Sequence, residues 1–138
     1  MKKMLDVIFI LDKSGSMSDS LESTITSFNE YLEKEKMNDY KTRITTVLFS
    51  DEYYYLHKGL DVNGVYPLTR ADYNPSGCTA LYDAIGSSIN YIDRCDTDKV
   101  LFIIITDGYE NASREYCGRD IKNLVAELKA RGWVFAYI

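Results

Sequence analysis

The chain has 138 residues, of which 46% are hydrophobic and 27% charged, so its length and composition fit a single globular domain over residues 1–138. Its formal net charge is −5, and phosphate backbones and anionic membrane surfaces repel an acidic chain, which disfavours nucleic acid and membranes as partners. No apolar run approaches the roughly 20 residues that a membrane-spanning helix requires.

The N-terminal quarter predicts a buried strand followed by an amphipathic helix. Leu5–Leu11 is a mostly apolar run of strand length; it is too short for the core of a signal peptide, contains Asp6, and has no small-residue cleavage site after it. From Ser18 to about Lys36, apolar side chains recur at helical spacing, and polar residues at its start suit an N-cap. The apolar stripe consists of Leu21, Ile25, Phe28 and Leu32, and the N-cap candidates are Ser18, Asp19 and Ser20.

Two short strands and a long irregular segment are predicted next. Arg43–Ser50 is rich in β-branched residues, and Glu52–Lys58 follows so closely that the two form a hairpin, which places one antiparallel strand at a sheet edge. His57, the single histidine of the chain, lies on this edge strand and is interpreted as a surface residue. Gly59–Gly77 is rich in Asp, Asn, Tyr and Gly, and irregular segments of this length in a compact domain are often functional.

The second half of the chain predicts two helices and two strands. Thr79 to about Ile92 has helical spacing, and Lys99–Thr106 is the most apolar run of the chain, as expected for a central strand buried on both faces. Ser113–Arg131 predicts a further helix, and Gly132 is the expected residue just beyond its C-cap. Trp133–Ile138 predicts a last strand.

Strands that alternate with helices predict a doubly wound α/β fold, with a mostly parallel sheet, helices on both faces and one antiparallel edge strand. In such sheets ligands bind beyond the carboxyl ends of the strands, at the point where the strand order reverses. The turns after the first strand and after Lys99–Thr106 are therefore the expected functional region.

Oxygen-bearing side chains crowd those two turns and the start of the helix at Thr79. The first turn reads DKSGSM from Asp12, and the second reads TDGYEN from Thr106. Carboxylates and hydroxyls are hard ligands that suit Mg²⁺, Mn²⁺ or Ca²⁺, and no His or Cys cluster suits zinc. Ser14 and Ser16 lie two apart, so both hydroxyls face one point if the turn is extended. The predicted metal ligands are Asp12, Ser14, Ser16, Thr79 and Asp107.

This pattern resembles the metal-ion-dependent adhesion site of von Willebrand factor A domains, of the bacterial cytosolic type. The resemblance implies that the hydroxyls of Ser14, Ser16 and Thr79 bind the cation, and that Asp12 and Asp107 act largely through bound water. It also implies one open coordination position for a carboxylate of a partner. The family usually continues past the last strand seen here with a further helix, an edge strand and a closing helix, so the chain is expected to lack its last C-terminal elements.

The expected function is a divalent-cation-dependent protein-binding module rather than an enzyme, with Mg²⁺ as the first choice of cation. Its partner is a protein that presents an acidic side chain, and Trp133–Ile138, apolar on both faces, is a candidate strand for homo-oligomer formation. Three cysteines, an odd number, argue against a disulfide framework and for a cytoplasmic location. The residues expected at the partner-binding rim are Lys13, Met17, Tyr73, Tyr109 and Glu110.

Alternative interpretations stay open at this point. In one, Asp12, Ser14 and Ser16 only cap a helix. In another, the chain is a Mg²⁺-dependent phosphohydrolase or phosphotransferase on a related α/β fold, although enzymes with an aspartate nucleophile typically carry a second acid where this chain has Ser14. In a third, the chain is a scaffold in which the motif survives but the metal is structural or absent. Asp83, one turn after Thr79, either supports the site or merely favours the dipole of its helix.

Overall fold

A computed structural model gives the architecture and describes residues 4–37, 41–73, 75, 77, 80–93, 97–106, 113 and 115–137, with Ser16 described by its backbone alone. Five strands lie within these ranges and form one sheet. They are β1 (Met4–Asp12), β2 (Lys41–Phe49), β3 (Tyr53–Asp61), β4 (Lys99–Ile105) and β5 (Val134–Tyr137). Their order across the sheet is β3-β2-β1-β4-β5.

The pairing of the strands confirms the predicted fold class. β1 pairs in parallel with β2 on one side and with β4 on the other, and β5 extends the sheet in parallel with β4. β3 runs antiparallel to β2 and forms one edge. The chain moves from β1 towards β2 and β3 and later returns to the opposite side of β1 as β4, so the strand order reverses between β1 and β4. That position is where doubly wound sheets bind ligands.

Helices cover both faces of the sheet, as predicted. They are α1 (Leu21–Glu35), α2 (Leu81–Ile92) and α3 (Gly118–Ala130), with short 3₁₀ turns at Gly15–Ser20 and Val62–Gly64. Successive residues of a strand point to opposite faces, so Phe9 of β1 packs with Phe28 of α1 while Ile8 and Ile10 pack with α2 and α3. Each of these four side chains is at most 1% exposed, and burial of such a side chain stabilises the fold by roughly 1.5–3 kcal/mol. No helix within the described ranges is long and apolar enough to cross a bilayer.

The start of α1 differs from the prediction. The chain enters a 3₁₀ turn at Gly15 and becomes α-helical at Leu21, three residues later than expected. The hydroxyl of Ser18 donates to the carbonyl of Gly15 inside the 3₁₀ turn, and Ser20 is the N-cap of α1 but makes no side-chain capping bond. Ser18 therefore stabilises the 3₁₀ turn, and of the three predicted N-cap candidates Ser20 occupies the N-cap position of α1.

The predicted start of α3 is wrong, whereas the residue predicted beyond its C-cap is confirmed. The helix begins at Gly118 rather than at Ser113, because the backbone N–H groups of Glu115 and Tyr116 donate to the carboxylate of Asp83. At the other end the prediction is confirmed: Gly132 has a φ of +97°, and its N–H donates to the carbonyl of Lys129 at 3.0 Å. The left-handed conformation at this position favours glycine.

The predicted hairpin of β2 and β3 is confirmed. His57, however, is less exposed than a surface residue. A bulge near Thr46 and the left-handed Gly59 keep β3 paired as far as Asp61, three residues beyond the expected end. His57 is half-buried, with its Nδ1 2.8 Å from the hydroxyl of Thr46 and its ring stacked on Phe28 at 6.4 Å. Burial lowers the pKa of His57, and the nearby charge of Asp72 opposes this in part. The ring therefore packs against α1 and is only partly exposed to solvent.

The one carboxylate within the apolar run of β1 forms an ion pair with an arginine of the adjacent strand. Asp6 is 1% exposed and stands opposite Arg43 of β2 in the parallel register. The guanidinium donates two hydrogen bonds to this carboxylate, from Nε at 3.0 Å and from Nη2 at 2.6 Å. A bidentate pair of this kind allows a charge to remain in a buried strand.

Candidate metal centre

The carboxylate of Asp12 lies where β1 and β4 end side by side. Asp12 is the last residue of β1 and is completely buried. Its Oδ1 accepts hydrogen bonds from the backbone N–H of Ser14 at 2.8 Å and from the hydroxyl of Ser14 at 2.6 Å. Its Oδ2 accepts a hydrogen bond from the hydroxyl of Thr106 at 2.8 Å. Donors from two parallel strand ends therefore fix the orientation of one carboxylate.

The conformation of Ser14 argues against the helix-cap interpretation. Ser14 is 2% exposed, has an extended backbone, and occupies the N-cap of the 3₁₀ turn without a side-chain capping bond. Its hydroxyl donates to Asp12 instead. A serine that acted as a cap would accept a hydrogen bond from a backbone N–H of the turn. Ser16 lies in the 3₁₀ turn, so the expected extended conformation stops at Ser14, and the side chain of Ser16 lies outside the described atoms.

The flanks of the other two predicted ligands lie against this first turn. Thr79 and Asp107 are outside the described residues. The carbonyl of Gly77 accepts a hydrogen bond from the N–H of Gly15 at 3.0 Å, and Ala80 donates to the carbonyl of Ser50 at 2.6 Å. The residue before Asp107 is Thr106, which donates to Asp12. The described neighbours of Thr79 and Asp107 therefore lie at the same end of the sheet as Asp12 and Ser14.

Gly77 occupies a position that other residues would not tolerate well. Its φ is +82°, and a Cβ added there would stand 2.9 Å from a carboxylate oxygen of Asp51. Asp51 lies at the tip of the β2–β3 hairpin, next to the carbonyl that accepts from Ala80. Glycine is needed at position 77 because it adopts this conformation without strain and leaves room for the carboxylate.

The residues predicted for the partner-binding rim lie in different environments. Lys13 is half-exposed, and its Nζ lies 3.1 Å from the phenol oxygen of Tyr54. Met17 and Tyr73 are corrected: they are 4% and 0% exposed and belong to the core on the α1 side, so neither side chain is available to a partner. Met17 turns inward because the chain enters the 3₁₀ turn there. Tyr109 and Glu110, the remaining members of the predicted rim, lie outside the described residues.

Two residues beside the site were not predicted to belong to it. Thr106 was placed in the second polar turn, at the end of its strand, but was not predicted as a ligand or as a partner of Asp12. Tyr54 is 44% exposed on β3, and the Nζ of Lys13 lies 5.1 Å from the centroid of its ring. Alternation along β3 is the signal that gives Tyr54 an outward direction, but only the tertiary structure brings it beside Lys13.

Asp83 supports the segment that follows β4. It is 7% exposed, and its Oδ1 accepts hydrogen bonds from the N–H groups of Glu115 and Tyr116, both at 2.9 Å. Its own N–H donates to the hydroxyl of Ser113 at 3.0 Å. The first turn of α2 thereby holds residues that come a few positions after Asp107, so its role extends beyond a favourable interaction with the helix dipole.

The chemistry of the donors fits a hard divalent cation. The predicted set contains two carboxylates and three hydroxyls, all of which are oxygen ligands of the type preferred by Mg²⁺ and Ca²⁺. Within the described ranges, no group of three or more His, Cys, Asp and Glu side chains is arranged to hold a metal ion.

The family model of the von Willebrand factor type A domain matches residues 6–138 of the sequence. The chain belongs to the von Willebrand factor A family. This is a family of protein-interaction modules, and the five-stranded sheet with helices on both faces agrees with its fold. A comparison with curated protein sequences gave no match.

Several solved structures share the fold of this von Willebrand factor A domain. The vWF domain of the type V pili tip protein Mfa5 from Porphyromonas gingivalis has a TM-score of 0.65 and 18% identity over 87% of this chain and 44% of that one. The PilB minor pilin from Streptococcus sanguinis has a TM-score of 0.65 and 18% identity over 78% and 30% of the two chains. Proximal thread matrix protein 1 from the mussel byssus has a TM-score of 0.65 and 18% identity over 99% and 36%. The chain spans less than half the length of each of these proteins.

Proposed function

We propose that this von Willebrand factor A domain binds one divalent cation, Mg²⁺ in the first place, and uses it to bind a carboxylate of a partner protein. The observation that supports this most directly is the buried carboxylate of Asp12, held by hydroxyls of both neighbouring strand ends at the point where the strand order reverses. The proposed metal ligands are Asp12, Ser14, Ser16, Thr79 and Asp107.

The hydrogen bond from Ser14 to Asp12 gives each residue a role in binding the cation. A hydroxyl that donates its proton to a carboxylate still has lone pairs on its oxygen for a cation. Ser14 is therefore proposed as a direct ligand, and Asp12 as the group that orients the hydroxyl and supplies negative charge. A cation bound mainly through neutral hydroxyls and water keeps much of its charge, so it attracts an acidic side chain from outside.

The partner is proposed to be a protein that presents an aspartate or glutamate. Lys13 and Tyr54, next to the first turn, form a polar and aromatic contact beside the expected position of the cation. Together with Tyr109 and Glu110 they are proposed to select among acidic partners. Aromatic residues are enriched at protein interfaces, which agrees with this role for the exposed Tyr54.

A binding role is favoured over phosphoryl transfer. An enzyme with an aspartate nucleophile at Asp12 would need a second acid two residues later, whereas this chain has Ser14, and its hydroxyl already donates to Asp12.

The odd number of cysteines favours a reducing compartment, so we propose a cytoplasmic location. Cell fractionation with an antibody to the chain tests the location, and recovery in the extracellular fraction would contradict it.

Calorimetric titration of chelator-treated protein with Mg²⁺ and Mn²⁺ tests the proposed function. One cation is expected per chain, and Ser14→Ala is expected to weaken its binding by about tenfold or more, because a direct ligand is lost. Ser18→Ala is the matched control: its hydroxyl donates to Gly15 in the same 3₁₀ turn, but it is not a proposed ligand. Absence of binding in the native chain, or equal binding in the two variants, would contradict the proposal.

A second experiment tests the partner-binding step. The native chain and Ser14→Ala are immobilised, and proteins are captured from a lysate in Mg²⁺ and, separately, in EDTA. A partner of the proposed kind binds the native chain only with Mg²⁺ present and does not bind Ser14→Ala. Equal capture by both forms with and without Mg²⁺ would favour the metal-independent scaffold.

A further inference from the structure

We infer that Tyr73 is a positioning residue of the proposed metal site: it fixes the backbone of Asp12 through its phenol hydroxyl. The inference rests on the proposed function and adds a residue from outside the predicted ligand set. Tyr73 lies in the long segment between β3 and α2. Here it is 0% exposed, and its hydroxyl donates to the carbonyl oxygen of Asp12.

The path of the segment gives Tyr73 little freedom. The backbone N–H of Leu68 donates to the side-chain oxygen of Asn29 in α1 at 2.6 Å, and the side-chain nitrogen of Asn29 donates back to the carbonyl of Leu68 at 3.1 Å. The next residues form a turn in which the hydroxyl of Thr69 donates to Asp72 at 3.1 Å and the N–H of Tyr73 donates to the carbonyl of Thr69 at 3.0 Å. Tyr73 therefore enters the core from a turn that is itself attached to α1.

The hydrogen bond of Tyr73 complements those of the Asp12 side chain. The carboxylate is oriented by Ser14 and Thr106, and the carbonyl of the same residue is held by Tyr73. With both ends fixed, Asp12 retains one arrangement relative to the turn that follows it. Preorganisation of this kind raises metal affinity because less motion is lost when the ion binds.

The same segment leads directly to Thr79. Four residues after Tyr73, the carbonyl of Gly77 accepts from Gly15. The segment is therefore attached to the first turn at two points, one on each side of the Ser14 position. Removing the first attachment releases the carbonyl of Asp12 and leaves the Gly15–Gly77 hydrogen bond as the other point of attachment.

The alternative is that Tyr73 merely stabilises the fold, and a comparison of two variants separates these roles. Tyr73→Phe removes one hydroxyl and retains the buried ring. The matched control is Tyr55→Phe, which loses the hydrogen bond between the phenol of Tyr55 and the hydroxyl of Ser87, 3.0 Å apart on the α2 side of the sheet. Each chain is titrated with Mn²⁺ alone, and its urea unfolding is measured without metal.

Tyr73→Phe is expected to lower the affinity for Mn²⁺ by about tenfold, while Tyr55→Phe leaves it within about twofold, even though both lower stability. Equal affinities of the two variants would overturn the inference while the proposed function stands. If the native chain bound no Mn²⁺, the proposed function and this inference would fall together. If Tyr73→Phe did not fold, Asn29→Ala, which releases Leu68, would replace it, and an unchanged affinity would again overturn the inference.

Discussion

Replacement of Asp83 by alanine tests how the structure holds the segment after β4. The carboxylate of Asp83 accepts two backbone hydrogen bonds, from Glu115 and Tyr116, both at 2.9 Å. The ring of Tyr116 lies over α2 so closely that a Cβ at Gly86 would stand 2.5 Å from it. This segment is therefore held against α2 by the buried carboxylate of Asp83 and by the close packing of Tyr116 on Gly86, which has no side chain.

The expected loss of stability follows from these contacts. A hydrogen bond to a charged group contributes about 1.5–3 kcal/mol, and two are lost in Asp83→Ala. Glu115 is exposed, so water can replace part of what is lost. We therefore expect the free energy of unfolding to fall by about 3 kcal/mol, at the low end of the sum. Asp83→Asn keeps an acceptor oxygen but loses the charge, so its loss should be about half as large.

Urea unfolding followed by circular dichroism measures these differences at neutral pH. Asp120→Ala is the control, because the carboxylate of Asp120 also accepts a backbone hydrogen bond near the start of α3, from Cys117 at 3.2 Å, but is exposed to solvent. Its effect should be clearly smaller. A loss below about 1 kcal/mol in Asp83→Ala, or an equal loss in Asp120→Ala, would refute the assigned role of Asp83.

Three further predictions concern other parts of the fold. Arg43→Met leaves the buried Asp6 without its bidentate partner and should lower the free energy of unfolding by about 3 kcal/mol in urea titrations. A change near zero would mean that this ion pair does not stabilise the fold. Burial lowers the pKa of His57 in the folded state, so the unfolded chain binds the proton more readily, and the free energy of unfolding should fall as the pH drops from 7 towards the folded pKa. His57→Gln should remove that part of the pH dependence. Parallel curves of stability against pH for the two chains would show that His57 is not its source. Val134 is 56% exposed on the edge strand β5, so the native chain should self-associate in sedimentation at high concentration and Val134→Lys should not; a native chain that sediments only as a monomer would exclude pairing through β5.

The arrangement of strands and helices could be predicted from the sequence because each element has a clear period. The apolar run of β1 and the i, i+3, i+4 stripe of α1 are local patterns, and local patterns survive in any compact fold. The boundaries were less predictable. α3 begins at Gly118 because Asp83, some 30 residues earlier in the chain, binds the backbone that precedes it. A bond between distant residues leaves no trace in the local pattern.

Some features of the candidate site could likewise be predicted from local spacing, and others could not. Spacing alone grouped Asp12 with Ser14, since two residues in one turn must lie close together, and the structure has the hydroxyl of Ser14 donating to that carboxylate. The rim was harder to predict, because a tyrosine in a long irregular segment has no periodicity to give it a direction. Tyr73 was expected at the surface, but its side chain packs into the core.

The sequence by itself determined the fold class and the residue types available to a cation, since these depend on order and local spacing, and its motif resembles the family whose model matches the chain. Only the tertiary structure decided which side chains face one another across the ends of β1 and β4, because residues 94 positions apart, Asp12 and Thr106, meet only after the parallel strands have paired. It also decided that Tyr73 lies beneath the first turn and that Tyr54 lies beside Lys13. Those contacts depend on packing between elements, which no short stretch of sequence encodes.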